Sequence, residues 1–347
     1  MIWDYCVVGN GLLGAAIAFE LSRDADRVCI VGAKYGDEGV FFSAHEDDSR
    51  IARQFHGDVY WEGLVERNMG RLHELTRATG MDVFRSLPVL YRFRPDAKPC
   101  SPLLKTRIGR ERDGVSASFS HEDIDGGVIN PKVYVAALNM ATVVNGAEVR
   151  SAAVQDIERS QGCFKLRTRD AEIMARYVVD ARGFHQPNLS GDDSTIVGKT
   201  AIFVEVDSSP DRQLQPFCFI AAEEGRDLRD VYGFHQYRVT SGKVISKFGV
   251  SEREPVRLTP YQVSDWFRGG YRAHPVLDAT LTWIGNFLDC PWTSTIKPCA
   301  FVSTASGRPQ VRYEKGLLTI KGCNGMAAKC CQALAEDVVA TLRRSES

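Results

Sequence analysis

The sequence predicts an α/β protein. One unit is a parallel sheet with flanking helices and a small β-meander, and the other is an α+β unit on a mixed, mostly antiparallel sheet. Three observations carry that expectation. Residues 3–9 (WDYCVVG), 12–23 (LLGAAIAFELSR) and 27–31 (RVCIV) read as strand, helix and strand, a βαβ unit that needs a parallel sheet and a right-handed crossover. A glycine-rich turn, Gly9-Asn10-Gly11-Leu12-Leu13-Gly14, joins the first strand to the helix. From about residue 196 to 300 the pattern changes to the period-2 alternation of strands.

The elements follow in order. The first helix opens with small residues and continues with apolar ones at helical spacing. Residues 58–80 read as a helix, because Trp61, Leu64, Val65, Met69, Leu72 and Leu75 fall near a 3.6-residue period. Residues 82–94 read as strands. Residues 100–121 are polar and irregular and read as a solvated loop, with Arg107, Arg110, Glu111, Arg112 and Asp113 as a mixed charge cluster. Asn130 as cap and Pro131 in the first turn open a helix over 130–144. Strands follow at 147–157 and 163–168, and 176–183 (RYVVDARG) is a strand running into a glycine turn. The alternating stretch supplies strands at 201–207, 216–221, 231–238 and 243–251, with a helix at 260–270. Residues 316–321 form a last strand. Residues 325–343 form a last helix, marked by Ala328, Ala333, Leu334, Val338 and Leu342.

At 347 residues the chain has the length of roughly two domains, and a core of that size needs no disulfide or metal staple. Basic and acidic residues number 43 and 44, for a net charge of −1. That balance argues against a dedicated nucleic-acid or membrane-surface binder, which shows a basic excess. The ten cysteines are scattered, with no CxxC pair and no zinc-like or other metal spacing. With no basic leader and no apolar run of spanning length, the expectation is a reducing, cytoplasmic setting.

The glycine turn has a specific chemistry. Gly9 permits the tight turn, Gly11 lets a pyrophosphate approach the backbone, and Gly14 lets the helix lie close to the sheet. The helix N-terminus then offers N–H donors and a partial positive charge to the phosphates. One feature departs from the dinucleotide pattern. The second strand ordinarily ends in Asp or Glu, which holds the ribose hydroxyls, but here Val31 is followed by Gly32, Ala33 and Lys34. Either backbone groups or a nearby side chain such as Lys34 hold the ribose, or the affinity is weaker.

Several segments carry a resemblance. Residues 43–53 (SAHEDDSRIAR) fit the form S-x-H-x-D-x-[ST]-R-I-x-R. With 126–138 (GGVINPKVYVAAL), 178–183 (VVDARG), 290–295 (CPWTST, against Cys-x-[Tyr/Trp]-Thr-x-Thr) and 322–329 (GCNGMAAK), the chain resembles the D-amino-acid-oxidase-like superfamily. It is most similar to the monomeric sarcosine oxidase branch, and five motifs in the correct order span most of the chain.

The resemblance implies a Rossmann-like FAD-binding domain and flavin-dependent oxidation of an amine or amino acid. Ser43 and His45 lie in the flavin segment, and Arg50 matches an arginine near the flavin ring. Gly183, Gly322, Gly325 and Met326 fall in turns near the dinucleotide. Arg53 matches the arginine that pairs with a substrate carboxylate, a task suited to a planar bidentate guanidinium, and Lys329 matches a second carboxylate contact. Cys290 matches the cysteine that carries the flavin as a thioether. Lys247 matches the lysine that helps oxygen accept an electron. In 243–251 it shares a strand face with Ile245 and Gly249, and a fixed cation in a dry site stabilises developing superoxide. The family's histidine four residues later is Ser251 here, which points to a substrate other than sarcosine. Tyr232 and His235 are further candidates for the pocket wall.

The expectation is a monomer that oxidises the C–N bond of a carboxylate-bearing secondary, cyclic or N-methyl amine, with molecular oxygen as acceptor. Two other readings stay open: a dehydrogenase passing electrons to a quinone or protein, and a non-catalytic dinucleotide-binding subunit. The domains interleave, with FAD-binding segments at 1–85, 122–195 and 300–347 and substrate segments at 86–121 and 196–299.

Overall fold

A computed structural model describes residues 1–25, 27–33, 43–45, 47, 49–93, 101–106, 120–187, 189, 193–206, 214–220, 228–238, 244–288 and 290–346. The first unit of chain is β1 (Ile2–Val8), α1 (Leu12–Ser22) and β2 (Val28–Gly32), with β1 and β2 parallel. There follow β3 (Arg50–Ala52), α2 (Val59–Thr79), β4 (Phe84–Ser86), β5 (Val89–Phe93), β6 (Lys105–Thr106), β7 (His121–Asp123) and β8 (Gly127–Ile129). Next come α3 (Pro131–Val144), β9 (Glu148–Ser151), β10 (Asp156–Ser160), β11 (Cys163–Arg167) and β12 (Glu172–Asp180). The later chain adds β13 (Ser194–Val206), β14 (Leu214–Ile220), β15 (Leu228–Arg238), β16 (Val244–Glu252) and β17 (Val256–Leu258). It ends with α4 (Gln262–Arg268), α5 (Leu277–Leu288), β18 (Trp292–Thr304), β19 (Gln310–Glu314), β20 (Leu317–Lys321) and α6 (Ala327–Glu346).

Local chemistry fixes the helix ends. Asp58 accepts the Tyr60 N–H at 3.0 Å to start α2, and Gly80, with φ 68°, stops it. Asn130 accepts the Val133 N–H at 3.2 Å ahead of Pro131 in α3. α1 is buried almost all round, so it shows no polar stripe.

Eight strands form the first sheet, in order β10-β11-β12-β1-β2-β9. β20 pairs in parallel with the last residues of β12, and β19 pairs with β20. β1, β2, β9 and the end of β12 run parallel, while β10, β11 and the start of β12 form an antiparallel meander. The second sheet runs β17-β13-β16-β15-β14-β5-β7-β6, with β18 along the other side of β13. It is antiparallel except where β14 meets β5. A small third sheet, β3-β8-β4, lies between them in sequence. α1, α2, α3 and α6 bury one core with the first sheet, including Ile17, Leu72, Leu138 and Leu334. α5 seals the second sheet through Ile284 and Leu288 against Phe217 and Phe248.

Several readings need adjustment. The strand expected over 147–157 is two strands, β9 and β10. β6 falls inside the segment expected to be irregular, and 107–119 lie outside the described residues. α5 and the full length of β18 were not anticipated. α5 buries Leu277, Thr280, Ile284 and Leu288, a helical stripe that a neighbouring run of strand-like texture obscures. Among the described residues no helix is long and apolar enough to cross a membrane, and the nine described cysteines are free.

Asn68 shows how tightly the helices are keyed. It is fully buried in α2, and its Oδ1 accepts the Gln332 and Ala333 N–H groups of α6 at 2.9 and 3.2 Å. Asn68→Ala strands buried donors, so stability should fall by roughly 1–3 kcal/mol. Urea unfolding checks this, and an unchanged midpoint would show the contact to be idle.

Candidate active site

The parallel strands β1 and β2 end where the glycine turn begins, so the crevice outside their carboxyl ends is the place for a ligand. Gly9 takes φ 105° and lies so close to β12 that a Cβ there would sit 2.8 Å from the Ala181 carbonyl oxygen. A Cβ on Gly14 would meet the Gly9 oxygen at 1.8 Å. These close approaches draw α1 onto the sheet and aim its N-terminus at the crevice. A second helix N-terminus arrives through the turn at 322–326, where Gly322, Asn324 and Gly325 all have positive φ. Asn324 builds that turn. Its Oδ1 accepts the Thr304 N–H and the Ser303 hydroxyl, both at 2.9 Å, and its Nδ2 donates to the Gly322 carbonyl at 2.8 Å.

Between these features and the second sheet lies a cavity of about 1000 Å³, at the top of the usual range for small-molecule sites. Gly9, Gly11, Gly14's neighbour Leu13, Ser43, His45, Gly183, Gly322, Gly325 and Met326 meet at its dinucleotide side. Arg50, Arg53, Lys247 and Lys329 reach it as well. The structure thus brings together residues that stand up to 320 positions apart in sequence. Its wall carries nine lysine or arginine side chains and no aspartate or glutamate among the described residues.

The cations differ in their surroundings. Lys247 belongs to β16, which is central between β13 and β15, so it is no edge lysine. Its ammonium donates to the Asp47 carboxylate and, at 2.6 Å, to the Ser49 carbonyl. Burial pulls it below the ordinary lysine value, with Asp47 opposing that pull. Arg50 lies 2.9 Å from the other Asp47 oxygen and donates to the Ala44 carbonyl at 2.8 Å. The Arg53 guanidinium lies close to the buried Tyr91 hydroxyl, which itself donates to the Phe55 carbonyl at 3.5 Å. Lys329 finds only the Met326 sulfur, at 3.7 Å, and burial followed by the nearby Arg53 charge pushes it down to about 7. Neither Arg53 nor Lys329 has a carboxylate within ion-pair distance among the described residues. Burial, then Arg50, pushes His45 down to about 4, so its ring is neutral at pH 7 where it packs beside Gly11 and bonds the Ser43 hydroxyl.

Three expectations are corrected or left aside. Cys290 does not line the cavity. It packs against the core under α5, and the thiol that does reach the wall near the cations is Cys299 on β18, whose Sγ accepts from Arg50 Nη2 at 3.7 Å. The signal was present in sequence, since 299–304 (CAFVST) repeats the Cys-x-aromatic…Thr spacing nine residues on. His235 bonds Ser246 at 3.0 Å behind the wall, whereas Tyr232 lines it. Lys34 lies outside the described residues. Lys199, Cys218 and Ser49 also line the cavity and carried no motif that would have singled them out.

The missing acid at Gly32 has a steric cause. A Cβ there would lie 2.4 Å from the Asn10 nitrogen and 2.7 Å from its Cβ, so the turn occupies the space of a side chain. Buried polar atoms without partners, Asn10 Oδ1, Ser49 Oγ and Asn139 Oδ1, belong to wall residues. With two helix N-termini and a cationic wall, they fit a large, polar, anionic group.

Fold and site together are those of a dinucleotide-binding oxidoreductase, with a large cationic cavity between the glycine turn and the second sheet. The chain belongs to the DAO family of FAD dependent oxidoreductases, whose family model matches residues 4–340, and its cofactor is FAD. Comparison with curated protein sequences returns no match. Among solved structures it is similar to NikD, described as an unusual amino acid oxidase essential for nikkomycin biosynthesis, at TM-score 0.66 and 15% identity over 96% of this chain and 93% of that one. L-amino acid deaminase from Proteus vulgaris gives TM-score 0.72 and 14% identity over 98% and 93%. Glycine oxidase from Geobacillus kaustophilus gives 0.65 and 18% over 99% and 95%. At these identities the likeness is one of fold.

Restoring the usual acid should therefore harm rather than help. Gly32→Asp overpacks the turn at roughly 1–3 kcal/mol, which weakens FAD affinity by about 10- to 100-fold. Titrating apoprotein against flavin fluorescence, with Cys299 replaced by Ser in both chains so that binding is reversible, measures this, and native or tighter binding would show that the side chain is accommodated.

Proposed function

We propose that the chain oxidises the C–N bond of an amine or amino acid that carries a carboxylate, most simply a secondary, cyclic or N-methyl amine. Molecular oxygen takes the electrons, and the products are an imine and hydrogen peroxide. The observation that carries this reading is the pair of nearby cations Arg53 and Lys329 on the cavity wall, with no carboxylate within ion-pair distance among the described residues. Two half-buried cations close together repel each other, so a ligand carboxylate is favoured there.

Bound FAD supplies the two-electron acceptor. The protein's own residues bind, orient and shield. Arg53 presents a planar fork to the carboxylate beside Tyr91, whose hydroxyl is kept neutral by burial. Lys329 adds a point charge from the first turn of α6. Tyr232, pushed up to about 12 by burial, stays a neutral phenol on the wall, and its ring folds over Gly249, where a Cβ would lie 2.6 Å away. Lys247 offers a fixed ammonium for negative charge developing on oxygen. The imine leaves and hydrolyses in water. The sulfur placed for a thioether link to the flavin is Cys299, beside Arg50, in place of Cys290. FAD-binding segments at 1–85, 122–195 and 300–347 and substrate segments at 86–121 and 196–299 form the working division of the chain.

The deciding experiment is anaerobic titration of the yellow protein with primary, N-methyl and cyclic amino acids. At least one class should bleach the flavin absorbance. Lys247→Met should then slow reoxidation by oxygen far more than reduction. A flavin left oxidised by every amine overturns the reading, and equal effects on both half-reactions overturn the role of Lys247. The Lys329 environment sets a pH dependence. The ammonium is charged below about 7, so a simple carboxylate lacking an amine should bind well in mild acid and more weakly as pH rises through that value. Lys329→Met should weaken acid-side binding about 10- to 100-fold and flatten the profile, read as the absorbance change on ligand titration. After acid precipitation, colour should stay with the native and Cys290→Ser chains and leave Cys299→Ser. Colour lost from Cys290→Ser alone would reverse the assignment.

A further inference from the structure

Asp47 is a buried carboxylate with two cations on it and no part in the scheme above. It lies in the segment that precedes β3, 9% exposed, next to Ser49, which is fully buried. Its Oδ2 accepts from Lys247 across 200 positions of sequence. Its Oδ1 lies 2.9 Å from Arg50 Nε, close enough for an ion pair and poorly aligned for a hydrogen bond. Lys247 completes the contact by donating to the Ser49 carbonyl at 2.6 Å. Asp47 and Ser49 are thereby fastened to the central strand of the second sheet.

We propose that Asp47 is a positioning residue that holds Lys247 protonated and fixed on the cavity wall. The functional consequence rests on the role given to Lys247 above. Among the described residues, the groups around Lys247 supply no other carboxylate. Arg50 faces it from the same segment as Asp47. From β18 come Cys299 and Lys297, the latter sharing the Phe203 ring with Lys247 at 4.6 and 5.6 Å from its centroid. On β15 its cross-strand partner is Phe234, and Phe203 is its partner on β13. Asp47 is its only ion-pair partner among the described residues. A buried ammonium beside a guanidinium keeps its proton only while a counter-charge is present. Burial raises the Asp47 carboxyl while Arg50 and Lys247 lower it, and the two cations prevail, so the carboxylate is charged throughout the neutral range.

Asp47→Asn keeps the shape and an acceptor oxygen but removes the charge, and Asp47→Glu keeps the charge. Two readouts are taken across about pH 6 to about pH 10. One is the rate at which the reduced holoenzyme reacts with oxygen. The other is acetic-anhydride labelling of Lys247 in apoprotein produced under riboflavin starvation, followed by peptide mass spectrometry. In Asp47→Asn both midpoints should move to lower pH. Reoxidation should be near native in acid and about tenfold or more slower in mild alkali, one decade per unit beyond the midpoint. Asp47→Glu should restore the native midpoint. A native labelling midpoint in Asp47→Asn, or a loss of rate equal at every pH, overturns the proposal. If Lys247→Met reoxidises at the native rate, the oxygen role of Lys247 falls. A shifted labelling midpoint in Asp47→Asn still establishes the hold on Lys247. Because labelling uses apoprotein, poor flavin loading by a variant does not blur the outcome.

Discussion

The structure depends on a solution to one electrostatic problem: a buried wall made of cations. Moving a charged group out of water costs several kcal/mol unless a partner compensates it. Here the partners stand one layer behind the wall. Asp180 holds Arg182 through two bonds at 3.0 and 2.7 Å. Glu252, itself buried against His274 at 3.0 Å, holds Lys199, and Asp47 serves both Arg50 and Lys247. The cavity surface stays positive while each of these charges is neutralised from outside it. Arg53 and Lys329 have no carboxylate within ion-pair distance among the described residues, which is the ground for the carboxylate-binding role proposed for them.

The second constraint is steric. Dinucleotide sites depend on backbone lying close to backbone, and glycine is the residue that permits it. Gly9, Gly14 and Gly32 each occupy a point where a Cβ would lie under 3 Å from main-chain atoms. They act as a set. Gly32 ends β2 because Asn10 lies against it, and the acid usual at that position is excluded by the same contact. The substrate side repeats the device once, where Gly249 gives the Tyr232 ring its room. The near-zero net charge of the chain is thus divided unevenly in space, with basic groups facing inward and acids set behind them.

Local signals were legible wherever the chain's own neighbours decide the outcome. The βαβ unit, the capped helix at Asn130-Pro131, the amphipathic α2 and the face of β16 that carries Lys247 all follow from periodicity and turn chemistry over a few residues. α5 and β18 were harder. α5 is amphipathic but lies in a region dominated by strand pattern, and β18 contains Pro298 and many exposed positions, so its length comes from pairing with β13 along 13 residues. Cys290 and Cys299 lie in similar local patterns. Choosing between them needs to know which turns toward the cavity, and that is set by the register of β18 on β13, where Cys299 lies opposite Lys199.

The sequence by itself determined the class of fold, the dinucleotide turn and most of the residues that meet at the cavity, because glycines and charged motifs carry their constraints in short segments. Only the tertiary structure decided which cysteine reaches the site, why Gly32 excludes an acid, and that Asp47 and Glu252 neutralise lysines on distant strands. Those outcomes depend on contacts between segments up to 249 residues apart, where strand register and burial, rather than neighbouring residues, set the distances on which charge and packing act.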